Sequence, residues 1–227
     1  AGIVHYMSNG ASTAPIVFHM LHGIRGAGAP QHSQSPQAMI WNCPGLEIVL
    51  ASSPADVKGL FRTAVESDNP TLFIDHAKLM NKQGPVPDGD YRIPFGVADI
   101  KREGSDVTIV ATSLQVHTAL DAAETLAAEG IEAEVVDPRT IAPLDEQTIL
   151  DSVARTGRLV VVDECTPRCS VASEIAATVA EKGFNTLKAP PVRVNRRQAH
   201  IPYSPVLEQY IAPSAARIIE AVKQVMG

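Results

Sequence analysis

From residue 106 to residue 195 the chain repeats one unit: a short β-branched run, a helical stretch closed by glycine, then the next β-branched run. "DVTIVAT" leads into "QVHTALDAAETLAAEG", "IEAEVVDPRT" into "LDEQTILDSVARTG", and "RLVVVDE" into "SVASEIAATVAEKG", ahead of a final "PVRVN". Gly130, Gly157 and Gly183 supply the helix stops, and a last helix is expected from about Pro213 to Val225. Parallel strands cannot be joined by tight hairpins. They need crossovers of about a dozen residues, which then cover the faces of the sheet. The alternation therefore predicts an α/β fold with a doubly wound, largely parallel sheet, whose ligands gather at the carboxyl ends of the strands.

The first half is less regular. Residues 14–21, 46–51 and 71–76 are short apolar runs bounded by Pro, Gly, Ser or Asn and read as strands. Between the last two, Ser53 is an N-cap, Pro54 opens the helix, and Val57, Leu60, Phe61, Ala64 and Val65 recur at helical spacing. "NKQGPVPDGDY" (81–91) has two prolines, two glycines and no periodicity, so the domain boundary is placed there, dividing 1–90 from 91–227. A chain of 227 residues is long enough for one large or two small domains, and no apolar run approaches the roughly 20 residues that span a bilayer.

The formal net charge of −6 argues against a nucleic-acid footprint, which needs clustered Lys and Arg. One local basic cluster, Arg193, Arg196 and Arg197 with His200, reads as a solvated loop with ion pairs, with a partner-docking patch as the alternative. Cys43, Cys165 and Cys169 are an odd set without a C-x-x-C pair, so neither a disulfide framework nor a zinc knuckle is indicated, and a reducing compartment is expected, cytoplasmic or, in a eukaryote, the mitochondrial matrix. "AGIVHYMSNG" has the character of neither a secretory signal nor a transit peptide, and reads like the interior of a longer chain.

Several chemistries lack their motifs. No G-x-G-x-x-G, P-loop, nucleophile elbow or H-E-x-x-H occurs, and Gly23, Gly26 and Gly28 have the wrong spacing for a phosphate cradle. His19 and His22 are three apart, which favours core or loop histidines over a metal pair. Asp137 and Arg139 fall where a buried strand emerges, either as an ion pair fixing a turn or as functional groups, and Asp145 stands where it can cap the next helix. His32, in "GAPQHSQSP", is either a solvated loop residue or part of a site.

Seven segments, in order along nearly the whole chain, carry a resemblance: "YMSNG", "PIVF", "QHSQS", "CPGLEIV", "DVKGLFRTAVESDNP", "DPRTIAPLD" and "IPYSPVLE". Together they resemble the beta subunits of the thiamin-diphosphate-dependent 2-oxo acid dehydrogenase complexes, the family of pyruvate, branched-chain 2-oxo acid and acetoin dehydrogenases. "VPDGDYRIPFG", "TGRLVVVDE" and "PRCSVASEI" look closest to the acetoin branch. The resemblance implies a partial pyrimidine-binding, transketolase-like domain followed by a transketolase C-terminal-like domain. It implies an α2β2 enzyme with an alpha subunit, a second beta subunit, a lipoyl acyltransferase component, and thiamin diphosphate with Mg2+ shared with alpha. The family's cofactor-binding glutamate would lie in about a hundred residues upstream of this sequence, so this chain alone is not expected to turn over substrate.

By the same resemblance His32 is the catalytic proton-transfer group, projecting towards the thiazolium end of the cofactor. Lipoyl reduction expels a thiolate that must be protonated, a task for a group titrating near neutrality. A potassium ion held through backbone carbonyls is implied at Ile16, Ala64, Ser67 and Asn69, a donor set that suits a hard cation. Three positions depart from the family: His19 stands where many relatives carry arginine, and Ser170 and Ala172 stand where many carry glycine. The competing readings are a non-catalytic dimerisation and docking fragment, and a transketolase or deoxyxylulose-phosphate synthase relative.

Overall fold

A computed structural model describes residues 1–227. In chain order the elements are α1 (Val4–Met7), β1 (Val17–His22), α2 (Ala29–His32), α3 (Gln37–Trp41), β2 (Glu47–Val49), α4 (Pro54–Glu66), β3 (Thr71–His76), β4 (Asp99–Arg102), β5 (Val107–Ala111), α5 (Leu114–Ala128), β6 (Ala133–Asp137), β7 (Thr140–Ala142), α6 (Glu146–Thr156), β8 (Leu159–Asp163), α7 (Val171–Lys182), β9 (Val192–Asn195), α8 (Pro205–Ile211) and α9 (Ala215–Met226). One sheet has the order β1-β3-β2-β7 and the other β4-β6-β5-β8-β9. Strands β1 and β2 run parallel to β3, and β5, β6, β8 and β9 are mutually parallel. Only β7 and β4 pair antiparallel, with β2 and β6 respectively.

The alternating pattern of the strands sets the layers. Val107 and Ile109 of β5 face α5 and α9, where Val135, Val160, Ile218 and Val222 complete one core. Val110, on the opposite face, joins Val136, Val161 and Ile149, and that second core also takes Ile48, Leu50, Leu72 and Ile74 from the first sheet. The two sheets therefore share a single buried layer. The Ser53 and Asp145 side chains cap their helices as the sequence indicates, accepting the amides of Asp56 and Thr148 at 3.1 and 3.0 Å, and Ser170, not expected as a cap, accepts the Ser173 amide at 3.1 Å. Each cap is worth about 1 kcal/mol. Ser170, where relatives carry glycine, thus has a local role.

The structure corrects the sequence reading at several elements. Residues 131–140 are not one strand. Pro138 has no amide to pair and Arg139 sits at φ +59, so the chain turns there, and β7 crosses to the other sheet. Strand β4 is short and half-buried, and carries no apolar alternation by which it could be foreseen. Helices α1, α2, α3 and α8 were likewise not expected, each being seven residues or fewer. Beneath the turn, Arg139 donates to Asp56 and Asp99 at 2.8 and 2.9 Å, and Lys101 pairs with Asp56 at 2.8 Å. Burial pushes the Asp137 carboxyl up to about 6 against the pull of Lys101, while Ser52 donates to it at 2.5 Å.

Candidate functional site

Residues 23–37, "GIRGAGAPQHSQSPQ", contain few side chains that could form a core of their own. Their shape comes from the backbone. Gly23 and Gly26 have φ +90 and +87, and Ala27 and Ala29 are both at φ +56. At Gly23 the positive φ combines with a close approach: a β-carbon there would lie 2.1 Å from Nε2 of His76. The Gly23 amide donates to the Gln34 carbonyl at 3.0 Å, and the Gln34 side chain donates to the Pro30 carbonyl at 2.6 Å, closing the loop around α2. His32 is the last residue of α2, and it is exposed.

The loop enters the other half of the molecule at one particular place. In the five-stranded sheet the chain runs from β5 to β6 on one side and then to β8 on the other, so the strand order reverses between β5 and β8. The crevice outside the carboxyl ends at such a reversal is where open α/β sheets take ligands. Here it takes the loop. Asp163, the last residue of β8, accepts from the Gln37 side chain at 3.3 Å, Glu164 accepts from the Ile24 amide at 2.6 Å, and the Cys165 thiol meets the Ser35 carbonyl at 3.4 Å.

Behind the loop lies a buried histidine pair. The His22 and His76 rings meet edge-to-face with centroids 4.9 Å apart. Burial, helped by His76 and opposed by Glu164, brings the His22 pKa down to about 3, so this ring is neutral. His76 Nδ1 accepts the Lys78 amide at 3.1 Å, which places the proton on Nε2, and Nε2 donates to Glu164 at 2.9 Å. Between the loop and the β8–α7 turn is a cleft of about 840 Å3, lined by Gln34, Ser35, Trp41, Cys169 and Arg196 among others.

The remaining sequence candidates are dispersed. His19 and His22 point to opposite faces of β1, and His19 pairs with Asp75 at 2.8 Å. In the cation set, the Ile16 carbonyl accepts the Thr71 amide at 2.9 Å and the Ala64 carbonyl accepts the Ser67 amide at 3.4 Å. The side chains of Ser67 and Asn69 donate to Glu47 at 2.8 and 3.2 Å. The Arg193–His200 stretch corrects the expectation of a solvated loop with ion pairs. Arg196 is buried, and its guanidinium donates to the Ala199 carbonyl. Arg193 donates to the Pro167 carbonyl at 2.8 Å, and Arg197 stacks on Tyr210 at 4.4 Å and donates to its carbonyl. All three cysteines are free.

His32 is a candidate from sequence, whereas Glu164, His76 and Gln115, which hold the loop, were not singled out there. Glu164 and His76 stand at the ends of β8 and β3, where the carboxyl-end rule directs attention, yet nothing local tells that they meet.

Residues 1–82 match the transketolase pyrimidine-binding domain and residues 96–218 the transketolase C-terminal domain. The chain is 47 % identical over 221 residues to the beta subunit of acetoin:2,6-dichlorophenolindophenol oxidoreductase of Cupriavidus necator and 45 % identical over 222 residues to that of Bacillus subtilis. These alignments cover 97 % and 98 % of this chain and 65 % of each relative, so the chain spans about two thirds of their length. It is 44 % identical to the pyruvate dehydrogenase E1 beta subunit of Rickettsia felis, over 99 % of this chain and 69 % of that one. A solved split-gene transketolase, an inactive beta4 tetramer, shares the fold with a TM-score of 0.78 at 24 % identity, covering 94 % of this chain and 67 % of that one.

Proposed function

We propose, because this chain belongs to the beta-subunit family of the acetoin and pyruvate dehydrogenase E1 components, that it is the proton-handling half of an enzyme that cleaves acetoin or decarboxylates a 2-oxo acid and passes the acyl group to lipoyl. The observation that carries this reading is the placement of His32, an exposed imidazole on a loop held by the carboxyl ends of β8 and β3. When the lipoyl disulfide opens, one sulfur takes the acyl group and the other leaves as thiolate. The protonated ring of His32 delivers the proton that sulfur needs.

Thiamin diphosphate supplies the carbanion-stabilising chemistry of such an enzyme. What this chain offers it is the His32 loop. Mg2+ and the pyrophosphate are assigned to an alpha subunit on the family resemblance alone. A potassium ion fits better. The Ile16 and Ala64 carbonyls each spend one lone pair on an amide and keep a second, and Glu47 brings negative charge to Ser67 and Asn69. The working unit is α2β2, this chain being divided at 81–91 into domains 1–90 and 91–227, and it works in the cytoplasm or, in a eukaryote, the mitochondrial matrix. The acyltransferase docks on the Arg193–His200 edge, beside the exposed Tyr203, Val206 and Tyr210.

The test uses two acceptors. In the complete enzyme with its alpha partner, His32→Ala should slow acyl transfer to a lipoyl domain on the order of a hundredfold. Turnover with 2,6-dichlorophenolindophenol, which leaves no thiolate to protonate, should be preserved. Equal loss with both acceptors would refute the role.

A further inference from the structure

We infer that Glu164 is a positioning residue for His32: it fastens the histidine-bearing loop into the β5–β8 crevice and so fixes where the imidazole stands. The inference rests on the role proposed for His32. It begins from a carboxylate that is only 3 % exposed and has no Lys or Arg within salt-bridge distance. Such a group survives burial only if its oxygens are fully hydrogen-bonded. They are, and by three different parts of the chain. Oε1 accepts the Ile24 amide at 2.6 Å, and Oε2 accepts His76 Nε2 at 2.9 Å and the Gln115 side chain at 3.1 Å. Burial works against the charged form, yet the bonds from His76 and the Ile24 amide hold this carboxyl below its ordinary range.

The donors define the device. Gln115 lies in the first turn of α5, behind the end of β5, and His76 ends β3 of the other sheet. Ile24 is the second residue of the loop, and its own side chain is buried with Ile201 and Ile211. Glu164 therefore ties the loop's first turn to both sheets, and Asp163 and Cys165 take hold of its far side at Gln37 and Ser35. His32 lies between the two grips. The three consecutive residues clasp the loop on either side of the imidazole without approaching it in sequence. A second buried carboxylate touches the loop at one point only: Oε2 of Glu208, in the first turn of α8, accepts the Ala27 amide at 3.1 Å, while its Oε1 has no partner.

The crevice that could have received a small molecule is thus spent on holding a catalytic segment from the other half of the chain. A scaffold that carries a proton donor must place it within a few tenths of an ångström, and loops need such support more than helices or strands do. A purely structural Glu164 would stabilise the whole chain and leave transfer from folded enzyme unaltered. A positioning Glu164 changes the rate of the step that uses His32 and spares the steps that do not.

Glu164→Ala and Glu164→Gln, each made in the complete enzyme with its alpha partner, test this. Glu164→Gln preserves the shape and keeps the case open if the alanine variant fails to fold. Two readouts are taken. Hydrogen exchange at residues 23–37 should accelerate roughly tenfold or more, with α9 unaffected, because buried donors lose a charged acceptor. Acyl transfer to lipoyl should fall roughly tenfold in kcat with KM for the 2-oxo acid or acetoin unchanged and the dye-coupled rate preserved. Unchanged exchange across the loop, or accelerated exchange with full acyl transfer in an enzyme that His32→Ala does cripple, would overturn the inference. Accelerated exchange alongside a silent His32→Ala would refute the role of His32 and leave the clasp in place.

Discussion

At the scale of single residues the site is defined by steric and hydrogen-bonding demands that come from far away in sequence. Gly23 is the clearest case. Its spacing from Gly26 and Gly28 excluded a phosphate cradle but could not disclose that the residue faces the ring of His76 from β3. Both its φ of +90 and the 2.1 Å approach forbid a β-carbon. Gly23→Ala is expected to cost about 2 kcal/mol or more, read as a lower denaturant midpoint at unchanged slope. An unaltered midpoint would show that the loop can move off His76. His32 was a candidate from sequence because its flanking "QHSQS" carries the family resemblance. Glu164 was not, because its role depends on Ile24, His76 and Gln115, each at least 49 positions away.

At the scale of elements, what the sequence states locally is what the structure keeps. Ser53 and Asp145 cap the helices they precede, and Gly157 closes α6 at φ +75. These signals need nothing beyond a few neighbouring residues. The break between β6 and β7 was missed because a run such as "EVVDPRTIA" looks continuous until it is known that two sheets, not one, claim its ends. The turn after α4 is where a potassium ion is proposed, among Ile16, Ala64, Ser67 and Asn69. Replacing choline chloride by potassium chloride at equal ionic strength should raise the melting temperature, since an ion at a hundredfold excess over its Kd contributes about 2.7 kcal/mol. Identical melting in the two salts would remove the ion from the account.

At the scale of the molecule, the fold class and the order of elements in the second half followed from the strand–helix alternation, and the family resemblance ran through both halves. The joining of the halves did not follow from either. Asp56 from α4, Asp99 and Lys101 from β4, Asp137 at the end of β6 and Arg139 beyond it form one charged network between the sheets, and the apolar layer beneath it takes residues from both. Asp137 and Arg139, read from sequence either as an ion pair fixing a turn or as functional groups, are joined across the turn by the Arg139 amide, which donates to Asp137 at 2.9 Å, while their side chains turn to Ser52 and to Asp56 and Asp99 respectively. The same seam ends at the β5–β8 reversal, where a loop of the first half occupies the crevice of the second. Coupling between those two places, through Glu164, is what fixes the position of His32. Its most direct measurement is the single-turnover rate of acyl transfer to a lipoyl domain in the complete enzyme carrying His32→Ala, Glu164→Gln, or both. If Glu164 acts through His32, the double variant will be no slower than His32→Ala alone; two losses that multiply would show that the residues act independently and contradict the account.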